Sequence, residues 1–273
     1  MVAEVGSAVK TFKKGDRVLG HCPALLTKNP ANAGFQAYTA IPSVLVAHIP
    51  SSMSFEQGTV LPLGISTAAA GLYQKDYLGL QLPSVNAKPT GKTILVWGGA
   101  SSVGSCAIQL LVHSGYEVFT TASKHNHDYC SQLGAKKVFD YNDNAVVSQI
   151  VEAMKGKQVA GIYDSISLPP TIKACCEIAS QADIEKKFIA STLPGSNEQA
   201  TAGVECKPVF AITILHNEVG PAVYEDFLPK ALEKGEFKAK PDPQVIGSGL
   251  DKCQAGMDKS QAGVSAGKVV ITL

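Results

Sequence analysis

A chain of 273 residues, 45% hydrophobic and with a formal net charge of +1, has the apolar material for one large domain or two smaller ones. The near-neutral balance gives no reason to expect nucleic acid or an anionic membrane as partner, and no run of about 18 apolar residues reads as a membrane span. The N-terminus "MVAEVGSAVKTFKKGDRV" lacks the basic-then-apolar layout of a leader, and of seven cysteines only Cys175 and Cys176 are close, a spacing that suits neither zinc nor a disulfide framework; a cytoplasmic protein is expected.

Residues 1–63 mix short β-rich pieces with turns: 1–9, "DRVLGHC", "GFQAYTAIP" and "VLVAHIP", separated by segments such as "TKNPANAG". From Gly64 the Ala-rich "GISTAAAGLYQKDYL" reads as a helix. After the linker "QLPSVNAKPTGK", strands and helices alternate. The strand 93–97 leads to a helix over 102–114, and the strand 117–122 to a helix ended by Gly134. Then come a short strand "KKVFDY", an amphipathic helix over 144–156, a strand "VAGIYDSI", a helix over 169–181 opening on prolines, and a strand "KKFIAST". Strands apolar on both faces, alternating with helices of about three turns, predict an α/β fold with a doubly wound parallel sheet. Beyond it, 209–215 ("VFAITIL") reads as one more strand, 221–238 as a helix ended by Gly235, 249–263 as a helix and 267–273 as a closing strand.

The stretch "GGASSVGS", Gly98 to Ser105, sits at the turn from the first alternating strand into its helix, where backbone N–H groups can cradle a dinucleotide pyrophosphate. In the register G-x-G-x-x-G it reads Gly99, Ala100, Ser101, Ser102, Val103, Gly104, with serine in place of the middle glycine. Serine adds little bulk and can cap the helix or bond a phosphate oxygen; the turn alone also fits a merely structural role. A site for NAD places a carboxylate at the end of the next strand, to hold the ribose 2′-OH. Here that end holds Ser123 and Lys124, with no carboxylate before Asp128. A hydroxyl and an ammonium attract a 2′-phosphate where an acid repels it, so NADPH is the expected cofactor. Tyr141 could add a phenolic hydroxyl to the same phosphate, or be an ordinary half-buried tyrosine. His125 with His127, and His21 beside Cys22, lack a third ligand at a defined spacing, so no metal site is expected.

The ordered series "GSAVKTFKKGDRVLG", "GFQAYTAIPSVLVAHIP", "LPLGISTAAAGLY", "ILVWGGASSVGSCAIQLL" and "GVSAGKVVITL" resembles the medium-chain dehydrogenase/reductase superfamily over essentially the whole chain. Within it the chain looks most like the zinc-free fungal branch: trans-acting enoyl reductases of polyketide pathways and quinone-oxidoreductase-like proteins. The resemblance implies a partial GroES-like catalytic domain over 1–63, a Rossmann NADPH-binding domain over 64–235, and a segment over 236–273 returning to the catalytic domain. It carries the phosphate loop onto Ala100, Ser101, Ser102, Val103 and Gly104, and the 2′-phosphate cluster onto Ser123, Lys124, His125 and Asn126. A further NADPH contact falls on Tyr141, and Leu193, Pro194, Val264 and Ser265 complete the cofactor cleft. Substrate and nicotinamide are implied beside Gly64, Ile65, Ser66 and Thr67 and beside a strand holding Phe210 and Thr213.

The implied reaction is NADPH-dependent, zinc-independent reduction of a carbonyl-conjugated C=C bond, with quinone or ketone reduction and cofactor binding without turnover as alternatives. The implied substrate is a small molecule or an acyl thioester presented by a polyketide synthase, and the implied state a monomer or homodimer. Relatives extend further at the N-terminus, and the residues usually proposed as proton donor lie there, so no catalytic residue is assigned. Without early strands the β-rich unit is expected to leave open strand edges and exposed apolar surface.

Overall fold

The computed structural model describes residues 1–201 and 203–273. The first unit holds one antiparallel pair, β1 (Val18–Gly20) with β2 (Val46–His48), and between them a short helix, α1 (Ala24–Thr27), and two 3₁₀ turns (Pro30–Asn32 and Ser43–Leu45). Two expected strand pieces, 1–9 and 34–42, are loops. A β-rich segment stays in a strand only where a neighbouring backbone takes up its N–H and C=O groups. At the second piece the Gln36 Nε2 amide instead reaches the carbonyls of Pro30, Ala31 and Ala33 (3.1, 3.2 and 2.8 Å) and curls the chain back. Leu25, Phe35 and Tyr38 remain exposed on this unit.

Next, α2 (Phe55–Thr59) starts on a capping box, in which the Gln57 N–H donates to Ser54 Oγ (3.2 Å) and the Ser54 N–H to Gln57 Oε1 (2.9 Å). A proline opens α3 (Pro62–Tyr73), where its missing N–H is no loss. Apart from Leu63 every residue of α3 is buried, which matches a helix apolar on all sides.

Six parallel strands follow: β3 (Lys92–Trp97), β4 (Glu117–Ala122), β5 (Lys137–Asp140), β6 (Gln158–Asp164), β7 (Phe188–Ser191) and β8 (Glu205–Pro208). Their spatial order is β5-β4-β3-β6-β7-β8. The connecting helices are α4 (Ser102–Val112), α5 (His127–Gln132), α6 (Val146–Met154) and α7 (Pro169–Gln181). One core joins α3, α4 and α5 through Ile65, Leu72, Ile108, Leu111 and Cys130. A second joins α6 and α7 to the sheet through Ile150, Ile172, Ile178, Leu95 and Ile162. The strand order reverses between β3 and β6, which opens a crevice outside their carboxyl ends.

The run 209–215 is not a strand: Ala211–His216 is a 3₁₀ helix, and the sheet's last strand lies upstream as β8. Sheet pairing ends with the Val209 N–H donating to Ser191 O (2.8 Å), after which Ile212 and Ile214 bury beside α3. β-branched composition alone cannot separate those outcomes. The following helix runs from Val219 rather than Pro221, as α8 (Val219–Pro221), a wider π-helical stretch (Ala222–Phe227) and α9 (Leu228–Glu233). The wide stretch precedes Pro229, which has no N–H to give to an α-helical ladder.

In the tail, β9 (Asp242–Ser248) pairs in parallel with β10 (Gly267–Thr272), and α10 (Cys253–Ala262) makes the crossover. No strand is expected over 242–248 from the sequence; in a two-stranded sheet one edge needs no donors, so Pro243 is accommodated in β9. The pair stands against α2. Among the described residues, no helix is long and apolar enough to cross a membrane.

Candidate functional site

The turn after β3 is closed by glycines that cannot be replaced without collision. Gly98 has φ +83°, and a Cβ there would meet the Ile166 side chain and Ser165 Oγ. A Cβ on Gly104 would run into the Gly98 carbonyl. Ser101, at the position of the absent middle glycine, is the N-cap of α4: its Oγ accepts from the Gly104 N–H (2.9 Å). The same hydroxyl donates to Ser165 Oγ (3.0 Å), which in turn donates toward the carbonyls of Trp97 (2.6 Å) and Gly98 (2.9 Å). Ala100, Ser101, Ser102 and Val103 stay partly open above a buried Gly104, and the first N–H groups of α4 have no partner inside the helix.

A cation faces this turn from the tail. Lys268, on β10, donates from Nζ to Ser102 Oγ (3.1 Å) and forms no ion pair among the described residues. Burial pulls its pKa below the ordinary lysine value, with Cys106 acting in the opposite direction. An ammonium held in a half-closed site beside a helix N-terminus suits an anion. The sequence reading missed it, because within "GKVVITL" the lysine looks like any strand residue and only the fold brings it to residue 102.

The end of β4 makes a second cluster. His125 Nε2 lies 3.3 Å from Ser123 Oγ and 3.2 Å from Ser265 Oγ, and Asn126 Nδ2 donates to both hydroxyls (3.1 and 3.2 Å). His125 and Ser265, 140 positions apart, are thus brought together with Ser123 and Asn126, all four picked out in the sequence. Lys124 is exposed beside them, and Tyr141 is half-exposed at the end of β5. Asp140 is also close: the Asn142 N–H chiefly holds its carboxyl below the usual range, and His127 and Lys124 add to this. His127 itself lies 3.2 Å from the Ala122 carbonyl.

A cavity of about 600 Å³ joins the turn to the tail, with Ala100, Ser101 and Ser102 on one wall, Val264 and Lys268 on another, and Phe35 and Thr59 from the first unit. Leu193 and Pro194 are exposed after β7, where the Thr192 N–H donates to Ser167 Oγ (2.7 Å). Phe210 is exposed after β8.

The residues expected around the substrate do not all converge. Gly64 does adjoin the turn, since a Cβ on it would lie 3.0 Å from Ser102 O and 3.1 Å from Ser102 Oγ. Ile65 and Ser66, however, are fully buried, and the Ser66 hydroxyl is paired with Tyr224 OH (2.8 Å), so they belong to the core of α3 rather than to a cleft wall. Thr67 is buried, its hydroxyl bonded to Leu63 O (2.6 Å). Thr213 bonds Gln74, just past the far end of α3 (3.0 Å), about 15 Å along the helix from Gly64 at 1.5 Å per residue. Among the described residues, no three of His, Cys, Asp and Glu are gathered where they could hold a metal ion.

Residues 102–182 match the family model described as zinc-binding dehydrogenase. The whole chain is 42% identical to a dehydrogenase, pigH, of Monascus ruber, covering 80% of it. It is also 42% identical to a trans-enoyl reductase, himH, of Aspergillus japonicus, covering 78% of it. Among solved structures, 99% of the chain superposes with a TM-score of 0.69 on 79% of a quinone oxidoreductase of Escherichia coli complexed with NADPH, at 20% identity.

Proposed function

The chain belongs to the medium-chain dehydrogenase/reductase superfamily, and from that premise we propose that it is an NADPH-dependent, zinc-independent reductase of carbon–carbon double bonds conjugated to a carbonyl. Its relatives are oxidoreductases of that superfamily; the cofactor, the reaction and a cytoplasmic location are the proposed part. One observation carries it: the end of β4 and the tail gather Ser123, His125, Asn126 and Ser265 beside Lys124, with donors where a site for the unphosphorylated ribose would set a carboxylate.

The residues present fit a phosphorylated dinucleotide. Gly98 and Gly104 keep side chains away from the turn, the N-terminus of α4 offers N–H groups, and Lys268 brings a cation with no carboxylate partner among the described residues. In this reading Ala100–Val103 and Lys268 hold the pyrophosphate, and Ser123 to Asn126, Ser265 and Tyr141 surround the 2′-phosphate. When bound, the nicotinamide supplies a hydride to the β-carbon of the substrate. In the same reading Leu63, Leu193 and Phe210, which are apolar and exposed, would exclude water once substrate covers them. The conjugated carbonyl spreads the charge left at the α-carbon, which then takes a proton. A thioester presented by a polyketide synthase carries such a carbonyl, and its reduction by a monomer or homodimer of this chain is our proposal for partner and state.

The test is a binding titration of NADPH and NADH to wild type and Lys124→Glu, followed by NADPH oxidation with an enoyl thioester, an enone and a quinone. We expect the charge reversal to weaken NADPH about tenfold, or about 1.4 kcal/mol, and NADH far less. Equal losses for the two nucleotides would remove the 2′-phosphate assignment. Turnover of the quinone alone would replace the enoyl reading with quinone reduction, and binding without oxidation of NADPH would leave a nucleotide-binding protein.

A further inference from the structure

The loop that leaves β6 stands at the reversal of strand order, between the turn after β3 and the segment after β7. Its four residues, Asp164 to Ser167, send alternate hydroxyls to the two sides. Ser165 turns toward β3: its Oγ accepts from Ser101 Oγ and donates toward the carbonyls of Trp97 and Gly98, so the glycine turn is anchored through one hydroxyl. Ser167 turns toward β7: its Oγ accepts from the Thr192 N–H (2.7 Å) and donates to Asp164 O (2.7 Å), so the backbone leading into Leu193 and Pro194 is anchored through another.

Ser167 occupies the left-handed region, φ +58°, a conformation that a non-glycine residue keeps only when its surroundings impose it. Asp164 imposes it. The carboxylate is fully buried, with Oδ1 accepting the N–H groups of Ile166 and Ser167 (both 2.9 Å) and Oδ2 accepting the Thr171 hydroxyl (2.6 Å). Among the described residues its hydrogen-bond partners are neutral donors, so it acts here as a template for backbone rather than as a charge partner.

We propose that Ser165 and Ser167, held by Asp164, are positioning residues that set the separation of the two walls of the cofactor cleft. Ser165 places the phosphate turn, and Ser167 places the 192–194 wall. The proposal rests on the nucleotide reading above, and it makes a distinction that reading alone does not. A ligand spanning both walls should feel either serine, whereas one limited to the adenosine half should feel only Ser165.

The experiment is a binding titration of the full chain with NADPH and, separately, with 2′,5′-ADP, the adenosine half of the same cofactor. Ser165→Ala is expected to weaken both ligands by comparable factors, about fivefold to tenfold for a lost anchoring hydrogen bond. Ser167→Ala is expected to weaken NADPH by a similar factor and to leave 2′,5′-ADP within twofold of wild type. Ser167→Gly removes the hydroxyl while relieving the left-handed backbone, so it should show the same ligand split with an unchanged or raised melting temperature. Variants at residue 167 that weaken both ligands alike, or neither, would overturn the proposal while leaving the cofactor reading intact. Wild type that binds neither ligand would overturn both.

Discussion

His21 follows directly on β1 and is buried, with its backbone N–H donating to Leu45 O (3.0 Å) and its ring Nδ1 lacking a partner among the described residues. Burial lowers its pKa from 6.5 to about 4. The folded chain therefore holds the ring neutral where the unfolded chain would protonate it. The resulting stability is complete above about pH 6.5 and declines as pH falls toward 4, by roughly 2 to 3 kcal/mol between pH 7 and pH 4.5. Urea unfolding at those two pH values should show this loss in wild type and a smaller one in His21→Leu; equal losses would reject the assignment. In the sequence nothing local says whether a lone histidine such as His21, beside Cys22, is buried. The same limit hid Lys268. Ser101 was legible at this scale, since a residue opening a helix after a strand is read by its capping chemistry, and the cap to Gly104 is what the structure contains.

Among the elements, α3 depends on close approach. Gly71 rests on the sheet, where a Cβ would lie 2.6 Å from Tyr163 Cε2 and 3.2 Å from Ala190 Cβ. Tyr163 is fully buried and tethered by its OH, which donates to Thr67 O (2.9 Å), so the ring has no room to withdraw. Gly71→Ala is expected to cost about 1 to 3 kcal/mol by forcing the helix off the sheet, despite alanine's higher helix propensity. Denaturant unfolding measures this, and a variant as stable as wild type would show the contact to be slack. The βα units from β3 to β7 were legible to within a few residues because their strands are apolar on both faces and their helices carry a helical period. The 3₁₀ helix Ala211–His216 and β9 were not. Whether Ile212 and Ile214 extend an edge strand or pack on α3, and whether a proline-flanked segment finds a partner in β10, depends on neighbours remote in the chain.

Across the whole molecule, the candidate cleft exists because the tail returns. Lys268 reaches Ser102, Ser265 reaches His125 and Asn126, and the β9–β10 pair stands against α2. A ligand held by both the sheet and the tail should therefore couple their unfolding. At a hundred times its dissociation constant, 2′,5′-ADP is expected to raise the unfolding free energy by about 2.7 kcal/mol, seen as a rise of a single melting transition. A tail that melts separately, in a transition unmoved by the ligand, would contradict that coupling.

The sequence by itself determined the α/β class, the order of its strands and helices through the parallel-sheet half, the glycine turn and the polar end of β4. Each of these is written in local terms: a hydrophobic period, a cap, a collision avoided or a charge left out. Only the tertiary structure decided what stands opposite them. It placed Ser265 against His125 and Asn126 at the end of β4, Lys268 on the turn, and the two serines of the β6 loop on its two neighbours. It also withdrew Ile65 and Ser66 into the core. The physical reason is that a side chain's partner across a cleft is set by how packed elements meet, and residues far apart in sequence carry no local signal of that meeting.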